Sequence, residues 1–217
     1  MNMNKELHDT ITFNDHAISI VTDDSILFSP DLPNAAIINN EILDLLKTDT
    51  AKTLTLLLDL VQKHEDEPFL ASHLVETYRA TNNEELAKQT IKNNYRKFPH
   101  FLISRCEFAA LCLDENKIME AAAALNYTFE LTELYPKKSQ FHLIEVITFQ
   151  SLIARYFCAL KDFNRAVACV EKLVEINKNI PIIESLQVNI IIETLKQHIS
   201  PKNIEKLFTK HQSSSDQ

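Results

Sequence analysis

The sequence predicts an almost entirely helical chain, a stack of helix pairs that recur about every 34 residues. Three observations predict it. Glycine is absent from all 217 residues, where ordinary usage of about 7% would place roughly fifteen. Apolar residues return at helical spacing from about residue 34 to about residue 211. Small alanines also stand at a constant offset from a large side chain: Ala87 follows Tyr78 by nine residues, Ala121 follows Cys112 by nine, and Ala166 follows Phe157 by nine.

Residues 10–30 are the exception to the helical pattern. Ile11 and Phe13, Ile18 and Ile20, and Ile26 and Phe28 alternate with polar neighbours, and turn-like Asn14-Asp15 and Asp23-Asp24 separate the runs. Period two predicts short extended segments or a hairpin there. Pro30 and Pro33 then punctuate the chain, so residues 1–33 are expected to form an extended N-terminal segment. Ile38, Ile42, Leu45 and Leu46 make one helical stripe; Leu54, Leu57, Leu58 and Val61 make the next after the break at Thr48-Asp49-Thr50. The acidic run His64-Glu65-Asp66-Glu67 before Pro68 reads as a solvated linker leading into a helix, because acids favour the N-terminal end of the helix dipole. Further helices are expected over 69–81, 84–97, 101–113, 117–134, 139–160, 163–177, 182–199 and 201–211, the last opened by Ser200-Pro201. The helical domain is thus expected to cover 34–211, with the Ser-rich residues 212–217 expected as a disordered tail.

Lack of glycine excludes whole classes of chemistry. Phosphate-binding loops, dinucleotide-binding turns and the nucleophile elbow all need glycine for positive φ or for close backbone approach. Helix ends must close on asparagine instead, and Asn82, Asn83, Asn116 and Asn177 stand where such caps are needed. A formal charge of −8 sets the field of the chain against phosphate backbones and acidic membrane surfaces. The apolar stretches Phe141 to Leu160 and Ile180 to Leu195 approach membrane-span length, but Glu145, Arg155, Glu184 and Glu193 interrupt them, so they are expected to be core helices. The first ten residues contain Lys5 with no apolar run behind it, which leads us to expect a cytoplasmic protein. Cys106, Cys112, Cys158 and Cys169 show neither a C-x-x-C pair nor zinc spacing and read as reduced, packed thiols.

The three aligned segments resemble the tetratricopeptide repeat family over about residues 68–181. Its first-helix pattern of large, small and aromatic residues is matched by Leu74, Val75 and Tyr78, by Phe108, Ala109 and Cys112, and by Ile153, Ala154 and Phe157. Its second helix opens on a small residue and continues to a large one, as in Ala87 to Ile91, Ala121 to Leu125 and Ala166 to Val170. The family's usual glycines are replaced by Val75, Ala109 and Ala154, and the third unit follows an 11-residue extension. The resemblance implies a right-handed superhelical solenoid of antiparallel helix pairs. It also implies a concave face lined here by Phe69, Ser72, Glu76 and Arg79, then Ile103, Cys106, Ala110 and Leu113, then Thr148, Ser151, Arg155 and Cys158. The lysines and asparagines with which some members grip a C-terminal carboxylate are missing.

A mixed groove with an apolar centre suits an extended or helical peptide with apolar anchors. Cover of Ile103, Cys106 and Leu113 by a neighbouring helix or by residues 10–30 is an equal alternative. No histidine pair has metal-ligand spacing, and the acids Glu65 to Glu67 and Glu84-Glu85 are loop and helix-start residues, so neither a cofactor, a metal nor an enzymatic activity is expected. The expected function is a protein-interaction module, an adaptor or scaffold, whose partner is a protein, a peptide or a second copy of the chain. Two alternatives stand beside it. One is a chaperone-like holder of a secreted substrate, a reading in which the chain resembles the small acidic chaperones of the same family. The other is RNA binding along Lys88, Lys92, Arg96 and Lys97, next to Tyr95 and Phe98, which the overall charge opposes.

Overall fold

The computed structural model describes residues 9–13 and 16–198, with side chains from 18 to 196. The expected helix 201–211, the tail 212–217 and the turn at Asn14-Asp15 lie outside the described residues. Among those described, ten α-helices and three short strands make a mostly helical protein. The chain divides into two compact units, residues 1–152 and 153–217, the boundary falling within one helix.

In the first unit, alternating residues do form a hairpin. β1 (Asp9–Phe13) pairs antiparallel with β2 (His16–Val21). Ile18 and Ile20 turn inward and are buried. A single 3-10 turn follows at Asp24–Leu27, capped by Asp23, whose carboxylate accepts the Ser25 N–H at 2.9 Å. Helices α1 (Ala35–Thr48) and α2 (Thr50–Lys63) come next. The Asp49 carboxylate accepts the Lys52 N–H and so caps α2. α3 (Pro68–Ala80) starts on Pro68, where a missing N–H costs nothing. It is followed by α4 (Glu84–Lys97), α5 (Leu102–Asp114), α6 (Ile118–Ala124), the one-turn α7 (Leu131–Leu134), β3 (Gln140–His142) and α8 (Leu143–Ala159). The second unit contains α9 (Phe163–Ile176) and α10 (Ile182–His198), which bury Ala166, Cys169, Val170 and Leu173 together with Ile183, Leu186 and Ile190.

The three alanines that marked the pattern, Ala87, Ala121 and Ala166, are each essentially inaccessible, as are Val75, Ala109 and Ala154. The turns before the alanines repeat bond for bond. Asn83, Lys117 and Asp162 donate their N–H to the carbonyls of Tyr78, Cys112 and Phe157 at 2.8, 2.7 and 2.9 Å. Asn82, Asn116 and Lys161 precede them with φ of 58, 58 and 61° and donate to Arg79, Leu113 and Cys158. This is the left-handed closure that glycine usually provides. Asn83 and Asn177, at φ of −97 and −165°, take no such role. Lys161 holds the strained place without the local hydrogen bonding that helps asparagine there. Lys161→Asn is therefore expected to raise the unfolding free energy by about 0.5–1 kcal/mol in urea denaturation, and an unchanged midpoint would contradict this account.

Two expected helices differ. Residues 117–134 do not form one helix: α6 stops at Ala124, and Asn126 and Tyr127 take φ of 53 and 57°. The local sequence favours continuation, but the buried Arg105 of α5 reaches across and its Nε donates to the Ala124 carbonyl at 2.8 Å. The expected helix 139–160 begins only at Leu143, because residues 140–142 pair parallel with β2, Ile20 opposite Phe141. Phe141 is completely buried there, and the Glu145 carboxylate accepts the His142 N–H at 2.9 Å to open α8.

Candidate partner-binding site

The sequence-derived face is split by burial. On α3, Glu76 and Arg79 are exposed, 3.5 Å apart as an ion pair, whereas Phe69 and Ser72 are buried. On α5, Ile103 and Cys106 are buried, and Ala110 and Leu113 are half-buried. On α8, Ser151 is buried and Thr148 half-buried, while the half-buried Arg155 and Cys158 belong to the second unit. Phe69 is not offered to a partner. Its ring meets Phe28 edge-on at 5.1 Å, with Phe101 at 6.4 Å, and Leu27, Phe28 and Leu32 share its core with Ile103. The chain's own residues 27–32 occupy this end of the face, held by a bond from the Ser29 N–H to the buried Glu67 carboxylate at 3.0 Å. Spacing along α3 cannot reveal this, since the covering residues lie about 40 positions earlier.

Beside this cover opens a cleft of about 400 Å³, walled by Phe28, Pro68, Phe98, Phe101 and Tyr135 and edged by Asp66, His100, Lys138 and Glu145. Its charges are matched internally. Lys138 Nζ donates to both oxygens of the nearly buried Glu145, at 2.6 and 2.8 Å, and stands 4.8 Å above the Phe141 ring. Lys97 lies 3.6 Å from Asp66, and the Tyr135 hydroxyl donates to the His100 carbonyl at 2.8 Å. What remains is an aromatic hollow with a neutralised rim. Sequence reasoning names Phe28, Pro68 and Phe98 only in other roles and passes over Phe101 and Tyr135, because the walls come from the segment before α1, the start of α3, the loop between α4 and α5, and the loop after α7.

Three polar side chains nearby are wholly or partly buried. Asn39, His73 and Glu107 are 34 residues apart in succession, on α1, α3 and α5. The Asn39 carbonyl faces His73 Nε2 at 2.7 Å, and its amide donates to Asp24 at 2.8 Å, which assigns the imidazole proton to Nε2. Burial pushes His73 down to about 4, against the opposing pull of Asp24. The other oxygen of Asp24 lies 3.1 Å from His142 Nε2 but out of line for a hydrogen bond, and burial lowers His142 too. Glu107 is raised to about 7, chiefly by burial.

The basic stripe of α4 is mostly compensated: Lys88 pairs with Glu85 at 3.1 Å and Lys92 with Glu115 at 3.8 Å. Burial raises the Cys106 and Cys112 thiols, which makes them poor nucleophiles. Among the described residues no group of three or more His, Cys, Asp and Glu could hold a metal ion, and no helix is long and apolar enough to cross a membrane. Comparison with known proteins finds no family model that matches this chain, no similar curated protein and no similar solved structure.

Proposed function

We propose that this chain is a protein-interaction scaffold of tetratricopeptide-like helix pairs that holds an extended or helical peptide through an apolar anchor. The observation that carries the proposal is the aromatic cleft of about 400 Å³ between Phe28, Phe98, Phe101 and Tyr135. Its size lies at the small end of ligand clefts, enough for one or two large side chains. Because Lys138 and Asp66 already have partners, a charged anchor would gain no unpaired counter-ion, whereas an aromatic or branched aliphatic one would leave water for aromatic walls. Exposed Glu76 and Arg79 would then contact flanking polar residues of the peptide. The recurring turns at Asn82, Asn116 and Lys161, and the buried small residues behind them, support the helix-pair reading. An enzymatic role has no such support.

Selection of peptides from a random displayed library tests the proposal. Enrichment of aromatic or large aliphatic anchors is expected, and Phe98→Glu at the half-buried wall of the cleft should weaken the selected peptides at least about tenfold, the order of one lost apolar anchor. Arg96→Glu, on the outer stripe, should leave them unchanged. Peptides that keep their affinity in a folded Phe98→Glu variant and lose it with Glu76→Lys would move the site from the cleft to the α3 surface.

A further inference from the structure

The cluster at the junction of α3, α4 and α5 has a hydrogen-bond deficit. Glu107 Oε2 and Asn94 Oδ1 are both buried acceptors with no donor. One hydrogen of the Asn94 amide donates to the Pro68 carbonyl at 3.1 Å; the Asn94 side chain and the Ser72 hydroxyl lie within reach of the Glu107 carboxyl, yet neither gives Oε2 a hydrogen bond. Two buried acceptors in one cluster are costly when neither has a donor, because each has lost water and gained nothing in exchange. One proton on the carboxyl removes both deficits: Oε2–H becomes the donor and Asn94 Oδ1 its acceptor. We propose that Glu107 is carried as the neutral acid on the acid side of neutrality and shares its proton with Asn94 Oδ1 in a hydrogen bond, forming a proton-dependent clasp between α5 and α4.

The surroundings support the acid form. From α3, Glu76 disfavours the carboxylate, while the Ser72 hydroxyl and Arg79 favour it; from α4 the Asn94 amide favours it weakly; on α5 itself the neighbouring Cys106 thiol is held in its neutral form. Glu76 and Arg79 are paired with each other, so their effects oppose. Burial decides, and it raises Glu107 to about 7. When the proton leaves to solvent, a carboxylate oxygen and an amide oxygen stay in the same dry junction. The helices then separate slightly to admit water, directly beneath Glu76, Arg79 and Ala110. The clasp makes that surface stiffer on the acid side of neutrality than on the alkaline side.

Carboxyl carbon resonances of the full chain, with Glu107 assigned by the signal lost in Glu107→Gln, should show one glutamate titrating near 7. Amide exchange gives the second measurement. Glutamine keeps a donor for Asn94 Oδ1 at every pH, so protection of the α4 amides around Asn94 should fall about tenfold from pH 6 to pH 8 in the native chain relative to Glu107→Gln. A Glu107 resonance titrating in the ordinary carboxylate range, or native and Glu107→Gln protection that stay parallel across that interval, would overturn the clasp. Neither measurement uses a peptide ligand, so failure here is distinguishable from failure of the cleft.

Discussion

Replacing Arg105 with alanine is expected to lower the unfolding free energy by about 3 kcal/mol, most of it from groups left without partners. Arg105 is buried on α5. Its Nε satisfies the carbonyl of Ala124 at the last residue of α6, and its guanidinium lies 6.0 Å from the Tyr135 ring centroid and within hydrogen-bonding reach of the Tyr135 hydroxyl. Alanine would leave the Ala124 carbonyl buried without a donor and open a hollow where the side-chain stem packs. The same change should loosen the turn at Asn126 and Tyr127, whose left-handed residues each cost about 1–2 kcal/mol and persist only while the surroundings hold them. Arg105→Met, which retains the stem, should recover about half of the loss. Urea denaturation of the two variants measures both effects; an alanine variant within about 0.5 kcal/mol of the native chain would show that the carbonyl finds water instead.

Acidification provides the second large effect. In the unfolded chain His73 binds a proton near 6.5, but in the folded chain only near 4. Between those values the unfolded state holds more protons, so stability falls as pH falls from about 6.5 to about 4 and levels off below. The full loss is roughly 3 kcal/mol. Glu107 works in the opposite direction. Its proton leaves at about 4.5 unfolded and about 7 folded, so its contribution is complete below the first value and is lost as pH rises to the second. Because Glu107 as a residue is half-buried although its Oε2 is inaccessible, a discounted figure of about 2 kcal/mol is expected from it. The native chain should therefore show a shallow pH dependence between 4.5 and 6.5, where the two effects offset each other. Glu107→Gln should expose a stability that climbs with pH, and His73→Asn one that declines. Chemical denaturation at closely spaced pH values reads these slopes, and two variants with the native slope would refute the assignment of either group.

Much of the helical framework was legible because it rests on local spacing. The offset of nine between Tyr78 and Ala87 recurs where the same turn recurs, and Asn82 and Asn116 close those turns as the missing glycines require. Lys161 was not foreseen in that role, although it stands at the same register, because lysine has no preference for left-handed backbone. The hairpin at 9–21 was readable from period two. Its partner at 140–142 was not, since three residues ahead of a strongly helical run carry too little pattern to compete with it. The candidate site was the least legible part. Phe69 was expected on an open face and lies against Phe28; for Ile103, cover by residues 10–30 was an equal alternative, and Leu27 and Phe28 share its core; Phe101 and Tyr135, never singled out, wall the cleft.

Sequence by itself determined that this protein is mostly helical, where three of its helix-to-helix turns fall and which small residues are buried beside them. These depend on interactions within a few residues: i to i+4 bonds, side-chain volume at a close contact, and the need for a left-handed closure without glycine. Tertiary structure alone decided where α6 stops, which apolar residues remain accessible and which ionisable groups are kept neutral. Each of those depends on a partner far away in the chain: Arg105 on the Ala124 carbonyl, Phe28 on Phe69, Ser72 and Asn94 on Glu107. Burial is a property of what covers a side chain, and no periodicity records the identity of the cover.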